Sequence, residues 1–158
     1  MSKFLIEDRP TLTCMIQART PERVSELIKK GLDGGTDAFA IQIDQLEREY
    51  RTESCYRELF EKMGGKPVYV TDYRNNMSTG MTDGELADEL LTLAKSGAAL
   101  VDVMSDLYCP SKDEITRDSA ADAKQRELIN KIHSYGAEVL MSSHTYRFLN
   151  FDEVREIA

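Results

Sequence analysis

Short, largely apolar runs alternate with amphipathic stretches along the chain, and the alternation repeats five times. Residues 11–16 (Thr-Leu-Thr-Cys-Met-Ile) read as a first strand. Thr20 then stands where a helix N-cap belongs. Pro21 follows at the first helical position, where its missing N–H removes no bond. Val24, Leu27, Ile28 and Leu32 recur at helical spacing, and Gly34-Gly35 closes the unit. A second strand is expected over residues 38–43. The helix after it, over 53–63, carries Tyr56, Leu59, Phe60 and Met63 on one face. Residues 67–70 form the third strand, with Pro67 tolerated only because it comes first.

The second half repeats the pattern. A polar loop over 72–81 leads to Thr82 and Glu85, which have capping-box spacing. Leu86, Leu90, Leu93 and Ala94 then form a buried stripe. The fourth strand is 100–104. A long polar loop, 105–119, precedes a helix with Ala121, Leu128, Ile129 and Ile132 inward. The fifth strand is 138–142, and Asn150 with Glu153 caps a last helix.

Five consecutive β-then-α units imply a parallel sheet with right-handed crossovers. Two α/β architectures fit. One is an incomplete (β/α)8 TIM-barrel-like arrangement of about five units. The other is an open five-stranded parallel sheet. Residues 1–158 are read as a single β/α domain, the N-terminal part of a barrel that normally needs about 250 residues. No GxGxxG follows the first strand and no GxxxxGK[ST] occurs, so neither common nucleotide-binding loop is present.

Composition narrows the function classes. Acids outnumber bases by 28 to 20, a net charge of −8, which argues against a nucleic-acid partner or an anionic membrane surface. No apolar run approaches the roughly 20 residues of a membrane helix. Charge appears too early in the first residues for a secretory signal. The three cysteines, Cys14, Cys55 and Cys109, are scattered and lack a CxxC pair. They read as reduced thiols in a cytoplasmic protein, not as a zinc site.

In either architecture the chemistry belongs at the carboxyl ends of the strands. The first strand delivers Gln17 and Arg19, and the second Gln42 and Asp44. The third delivers Asp72, Tyr73 and Arg74, the fourth Ser105 and Asp106, and the fifth Ser142, Ser143 and His144. His144 is the prime candidate, because an imidazole there can take and give a proton near neutral pH. His133, the second histidine, sits among polar helix positions and reads as solvated. Arg19 and Arg74 are candidates to grip a substrate carboxylate by a bidentate fork, with ion pairing on the surface as the bland alternative. Asp44, Asp72 and Asp106 would suit Mg²⁺ if they converged, and otherwise serve as solvated loop acids. Cys109 reads as a structural thiol, and Asp102 within its strand is left without a role.

The ordered motifs resemble type I 3-dehydroquinate dehydratase, a shikimate-pathway lyase built on an eight-fold β/α barrel. The resemblance rests on residues 35–39 leading to Asp44, on Lys66-Pro67-Val68-Tyr69-Val70-Thr71, on Leu100-Val101-Asp102-Val103, and on Ser142-Ser143-His144. It implies syn elimination of water from a small cyclic hydroxy-keto acid, without an organic cofactor or metal. A lysine forms a Schiff base with the ketone and the histidine matched by His144 acts as general acid and base. Arg74, Gln42 and Arg19 are then expected as substrate contacts, and Asp106 as the group orienting His144. The chain departs from the pattern at Ala40, Gln42, Tyr73 and Met104. The Schiff-base lysine belongs to a sixth strand, expected beyond Ala158. The alternatives are a divergent barrel using strand-end aspartates with a metal, and a non-catalytic module that binds small acids. A homodimer is expected from the exposed apolar edges of an incomplete barrel.

Overall fold

A computed structural model describes residues 2–112, 114–144 and 147–157. Five strands, β1 (Thr13–Ile16), β2 (Ala38–Gln42), β3 (Val68–Thr71), β4 (Leu100–Met104) and β5 (Glu138–Ser142), alternate with five helices. The helices are α1 (Pro21–Asp33), α2 (Glu53–Glu61), α3 (Asp83–Lys95), α4 (Ser119–Ser134) and α5 (Phe151–Ile157). The helix starts follow their capping chemistry. Thr20 accepts from the Arg23 N–H, Thr52 from Cys55 and Asp118 from Ala121, while Thr82 and Glu85 form a reciprocal capping box. Asn150 and Glu153 cap α5 in the same reciprocal way.

All strand pairs are parallel, and their order in the sheet is their order in the chain. A doubly wound sheet reverses direction at a switch point, which a strictly sequential order lacks. The chain therefore forms an incomplete TIM-barrel-like α/β fold. The helices pack side by side, α1 on α2, α2 on α3 and α3 on α4. Ile16, Phe39, Ile41, Val68, Val70, Val101 and Val103 face them and are buried. Strand alternation sends Met15, Ala40, Tyr69, Asp102 and Leu140 to the opposite, concave face. That face is open toward β1 and β5, where Met15 and Leu140 are half exposed.

Several expected boundaries change: β2 ends at Gln42, α2 ends at Glu61, and β3 runs Val68–Thr71 with Pro67 just before it. β1 begins at Thr13, because residues 11 and 12 belong to the turn that meets Thr36 and Asp37. The segment after β2 is not a simple loop. It winds through two 3-10 turns, Ile43–Gln45 and Arg48–Tyr50, which bury Ile43, Asp44 and Leu46. In α4, Gln125 is buried where Ile129 is only half-buried, since its amide donates to the carbonyls of Ser105 and Leu107.

Two tertiary contacts hold the arc. A Cβ built on Gly31 of α1 would lie 2.6 Å from the Phe39 ring and 3.1 Å from Cys14 Sγ, so the helix backbone packs directly on β1 and β2. At the amino ends of the strands, the segment 2–10 runs across the arc. Arg9 clamps Asp37 through both carboxylate oxygens, at 2.6 and 2.7 Å. The Lys3 N–H donates to Glu138 of β5 at 3.1 Å, and the Thr11 hydroxyl donates to the Phe4 carbonyl. No helix among the described residues is long and apolar enough to cross a membrane.

Candidate functional site at the carboxyl ends of the strands

The carboxyl ends of β2 to β5 surround a cavity of about 470 Å³. Gln42, Tyr73, Arg74, Met104, Asp106, Ser111, Glu114 and His144 are among its lining residues. Of the five site residues expected from sequence, His144, Asp106, Arg74 and Gln42 therefore meet. Arg19 does not line this cavity. It stays exposed and pairs with Glu47 at 2.8 Å.

His144 leaves β5 and turns to residues 105–118. Its Nδ1 lies 2.9 Å from Glu114 Oε2, and the same oxygen accepts the His144 backbone N–H at 2.6 Å. An ionised carboxylate only accepts, so in the neutral ring Nδ1 is the nitrogen that carries the proton, and the lone pair falls to Nε2. The expected orienter, Asp106, is thus replaced by Glu114. Asp106 instead accepts from Arg74 Nη1 at 2.7 Å and from the Ser111 N–H at 2.8 Å. Glu114 was not legible as a site residue, because it sits in an irregular loop with a left-handed backbone, φ 51°. A non-glycine residue in that region stores about 1–2 kcal/mol of strain, which the surrounding contacts must hold.

Arg74 is a bridge. Its Nε and Nη2 donate to Asp83 at 2.7 and 3.2 Å, and Nη1 and Nη2 to the Asp106 carboxylate and carbonyl. Burial opposes its charge, but the two carboxylates hold its pKa above the ordinary guanidinium value. The expected free fork for a substrate carboxylate is thus already occupied, and a ligand meets it only by sharing. Gln42 is polar and accepts from Gln17.

A second polar group lies beneath the cavity. The Asp102 carboxylate is 2% exposed and accepts three hydroxyls. These come from Tyr69, from Tyr73 at 3.0 Å and from Ser142 at 2.5 Å. Burial, then the Asp102 charge and hydrogen bond, raise both phenols above their ordinary range and keep them protonated donors. The Tyr73 ring meets the His144 ring edge-on, with centroids 5.0 Å apart and planes at 83°.

The strand-end aspartates do not gather. Asp44 is buried and accepts from Asn76, and burial raises its pKa. Asp72 is buried with Ser78 at 2.5 Å and Arg51 at 3.7 Å. Burial pushes its pKa up to about 7 against the pull of Ser78 and Arg51. Among the described residues, no three His, Cys, Asp or Glu side chains stand together as a metal site. Cys109 remains a free, half-buried thiol, and His133 is exposed on α4.

No protein-family model matches the chain, and no curated protein sequence matches it. Solved structures do match in fold. The 3-dehydroquinate dehydratase from Enterococcus faecalis superposes with TM-score 0.72 at 16% identity, covering 95% of this chain and 60% of that one. The type I 3-dehydroquinate dehydratase from Clostridium difficile, solved with covalently modified comenic acid, gives 0.64 at 17% identity. It covers 85% of this chain and 51% of its own. The deoxyribose phosphate aldolase from Aeropyrum pernix gives 0.51 at 18% identity, covering 83% and 49%. These identities speak for the fold alone. The chain spans about half to three fifths of the length of these structures.

Proposed function

We propose that this cavity is the proton-transfer part of a dehydratase-type carbon–oxygen lyase acting on a small cyclic hydroxy-keto acid. The observation that carries the reading is the His144–Glu114 pair at the strand ends, with the Nε2 lone pair of His144 left for a ligand. The fold likeness to 3-dehydroquinate dehydratases supports it, as does the sequence resemblance.

The chemistry asked of His144 is conservative. Nε2 removes a proton from the carbon adjacent to the ketone, and a C=C bond forms as the neighbouring C–O bond breaks. The same nitrogen returns its proton to the departing hydroxyl, which leaves as water. Glu114 stabilises the imidazolium that exists between the two transfers. Gln42, Asn75 and Ser111 offer neutral partners for hydroxyl and keto oxygens. The Schiff-base lysine implied by the resemblance belongs to a sixth strand, and no lysine lines the described cavity.

The test uses the natural protein, including any strands that follow Ala158, with 3-dehydroquinate, following the conjugated product by ultraviolet absorbance and any covalent adduct by borohydride trapping. Turnover that falls 10²–10⁴-fold in His144→Ala is expected, the usual weight of one acid–base group. Undiminished turnover in that variant, or no turnover by the unmodified natural protein, would overturn the reading.

The occupied state of Arg74 and the absence of lysine from the described lining favour one second reading, a module that binds small polyhydroxy compounds without chemistry. Thermal stabilisation by quinate-like compounds with no product formed would support it.

A further inference from the structure

Asp102 sits on the concave face of β4, one strand away from His144 on either route. The first route runs through the sheet. Asp102 pairs in register with Leu140, Met104 pairs with Ser142, and the Ser142 hydroxyl donates to Asp102 Oδ1. Ser142 is two residues before His144, so this bond fixes the strand end from which the histidine departs. The second route runs through an aromatic ring. The Tyr73 hydroxyl donates to Asp102 Oδ2, and the Tyr73 ring lies edge-on to the imidazole. A phenol tethered at its oxygen cannot swing about χ1, so its ring is a fixed wall for the histidine.

The carboxylate is well suited to this task. It is buried, and among the described residues no cationic side chain pairs with it. Three hydroxyl donors satisfy it instead, and a buried charge loses heavily if such donors leave. Each donor is therefore locked in orientation. The Tyr69 hydroxyl completes the set without lining the cavity.

We propose that Asp102 is a positioning residue for His144, acting through Tyr73 on one side and Ser142 on the other. Glu114 selects the tautomer, and Asp102 fixes where the ring stands. The catalytic meaning rests on the reading of His144 as the proton-transfer group, but the positioning itself does not.

The experiment is ¹⁵N NMR of the imidazoles in the full chain. The chain has two histidines, and His133 on the exposed face of α4 serves as an internal reference. His144 should show the Nδ1–H form. Asp102→Asn and Tyr73→Phe should each move its two nitrogen signals toward those of a free imidazole, with His133 unmoved. Tyr69→Phe, which removes a donor from the same carboxylate but not the ring wall, should move them less. Unchanged His144 signals in folded Asp102→Asn and Tyr73→Phe would overturn the proposal. Should Asp102→Asn fail to fold, Tyr73→Phe alone decides. Shifted signals in a chain that never dehydrates substrate would uphold the positioning and overturn the proposed activity. Lost turnover with unshifted signals would do the reverse.

Discussion

Glu114 Oε2 accepts both the Nδ1–H and the backbone N–H of His144, at 2.9 and 2.6 Å. One loop oxygen thus sets the tautomer of the imidazole and the position of its main chain. A hydrogen bond to a charged partner contributes about 1.5–3 kcal/mol. Removing it with Glu114→Ala should lower dehydration turnover by roughly 10–100-fold. Glu114→Gln keeps an acceptor but not the charge, and should fall between. Steady-state kinetics of the three proteins decides. Equal rates would remove Glu114 from the site.

Arg74 ties the start of α3 to the loop after β4 through Asp83 and Asp106. Arg74→Ala leaves two carboxylates without their cation, one of them buried. The expected loss is about 1–3 kcal/mol, below the full value for a buried pair because the arginine is about a quarter exposed. Arg74→Lys should recover little of it, since a single ammonium cannot span both acids. Urea melts measure this directly. A loss under about 0.5 kcal/mol, the range of ordinary surface substitutions, would contradict the bridge.

Stability should fall as pH rises from about 4 to 8. Asp72 has its folded pKa raised from 3.8 to about 7, so the native state holds this proton more tightly than the unfolded chain. That contribution is complete below the unfolded value and is lost as pH rises through the folded one. A span of that width amounts to roughly 4 kcal/mol. Asp44 and Glu89, also raised by burial, act in the same direction. Asp72→Asn should therefore flatten the dependence without abolishing it. Denaturant midpoints at pH 5, 6, 7 and 8 (chosen to span about the titration range) give the slope. An unchanged slope would place the titration elsewhere.

Gly31→Ala tests the seat of α1. Alanine is favoured over glycine by about 1 kcal/mol within a helix. Here its methyl would stand 2.6 Å from the Phe39 ring, which is itself fully buried. Overpacking of this kind is destabilising by about 1–3 kcal/mol, and it should prevail. A thermal melt above that of the unmodified chain would show that Phe39 yields.

Where burial of one face dictates the pattern, the chain announces its structure. The apolar runs at 38–42 and 100–104 are strands because both their neighbours and the helices exclude water from them. Thr82 with Glu85 caps α3 by a purely local exchange of hydrogen bonds, which spacing alone reveals. His144 is legible for a related reason, as the polar residue just past an apolar strand, although β5 itself is only partly buried. The partner of His144 is not legible. Glu114 lies 30 residues away on a loop whose path follows from Ser111, Asp106 and Arg74 together. Asp102 alternates with valines and so carries no signal of its own. Its meaning depends on Tyr69, Tyr73 and Ser142 arriving from two other strands. Arg74 looked free because its two acids stand 9 and 32 residues away.

The bond from the Lys3 N–H to Glu138 spans 135 residues. Closing a flexible loop of that length from a disordered chain would be opposed by roughly 4 kcal/mol of entropy, far above the ~1 kcal/mol one hydrogen bond returns. The contact can therefore exist only after the four intervening β/α units have brought β5 within reach. It is a clock hand for folding. The segment around Lys3 should be among the last to settle, and the Lys3 amide should exchange its hydrogen at a rate that reports the intactness of the whole arc.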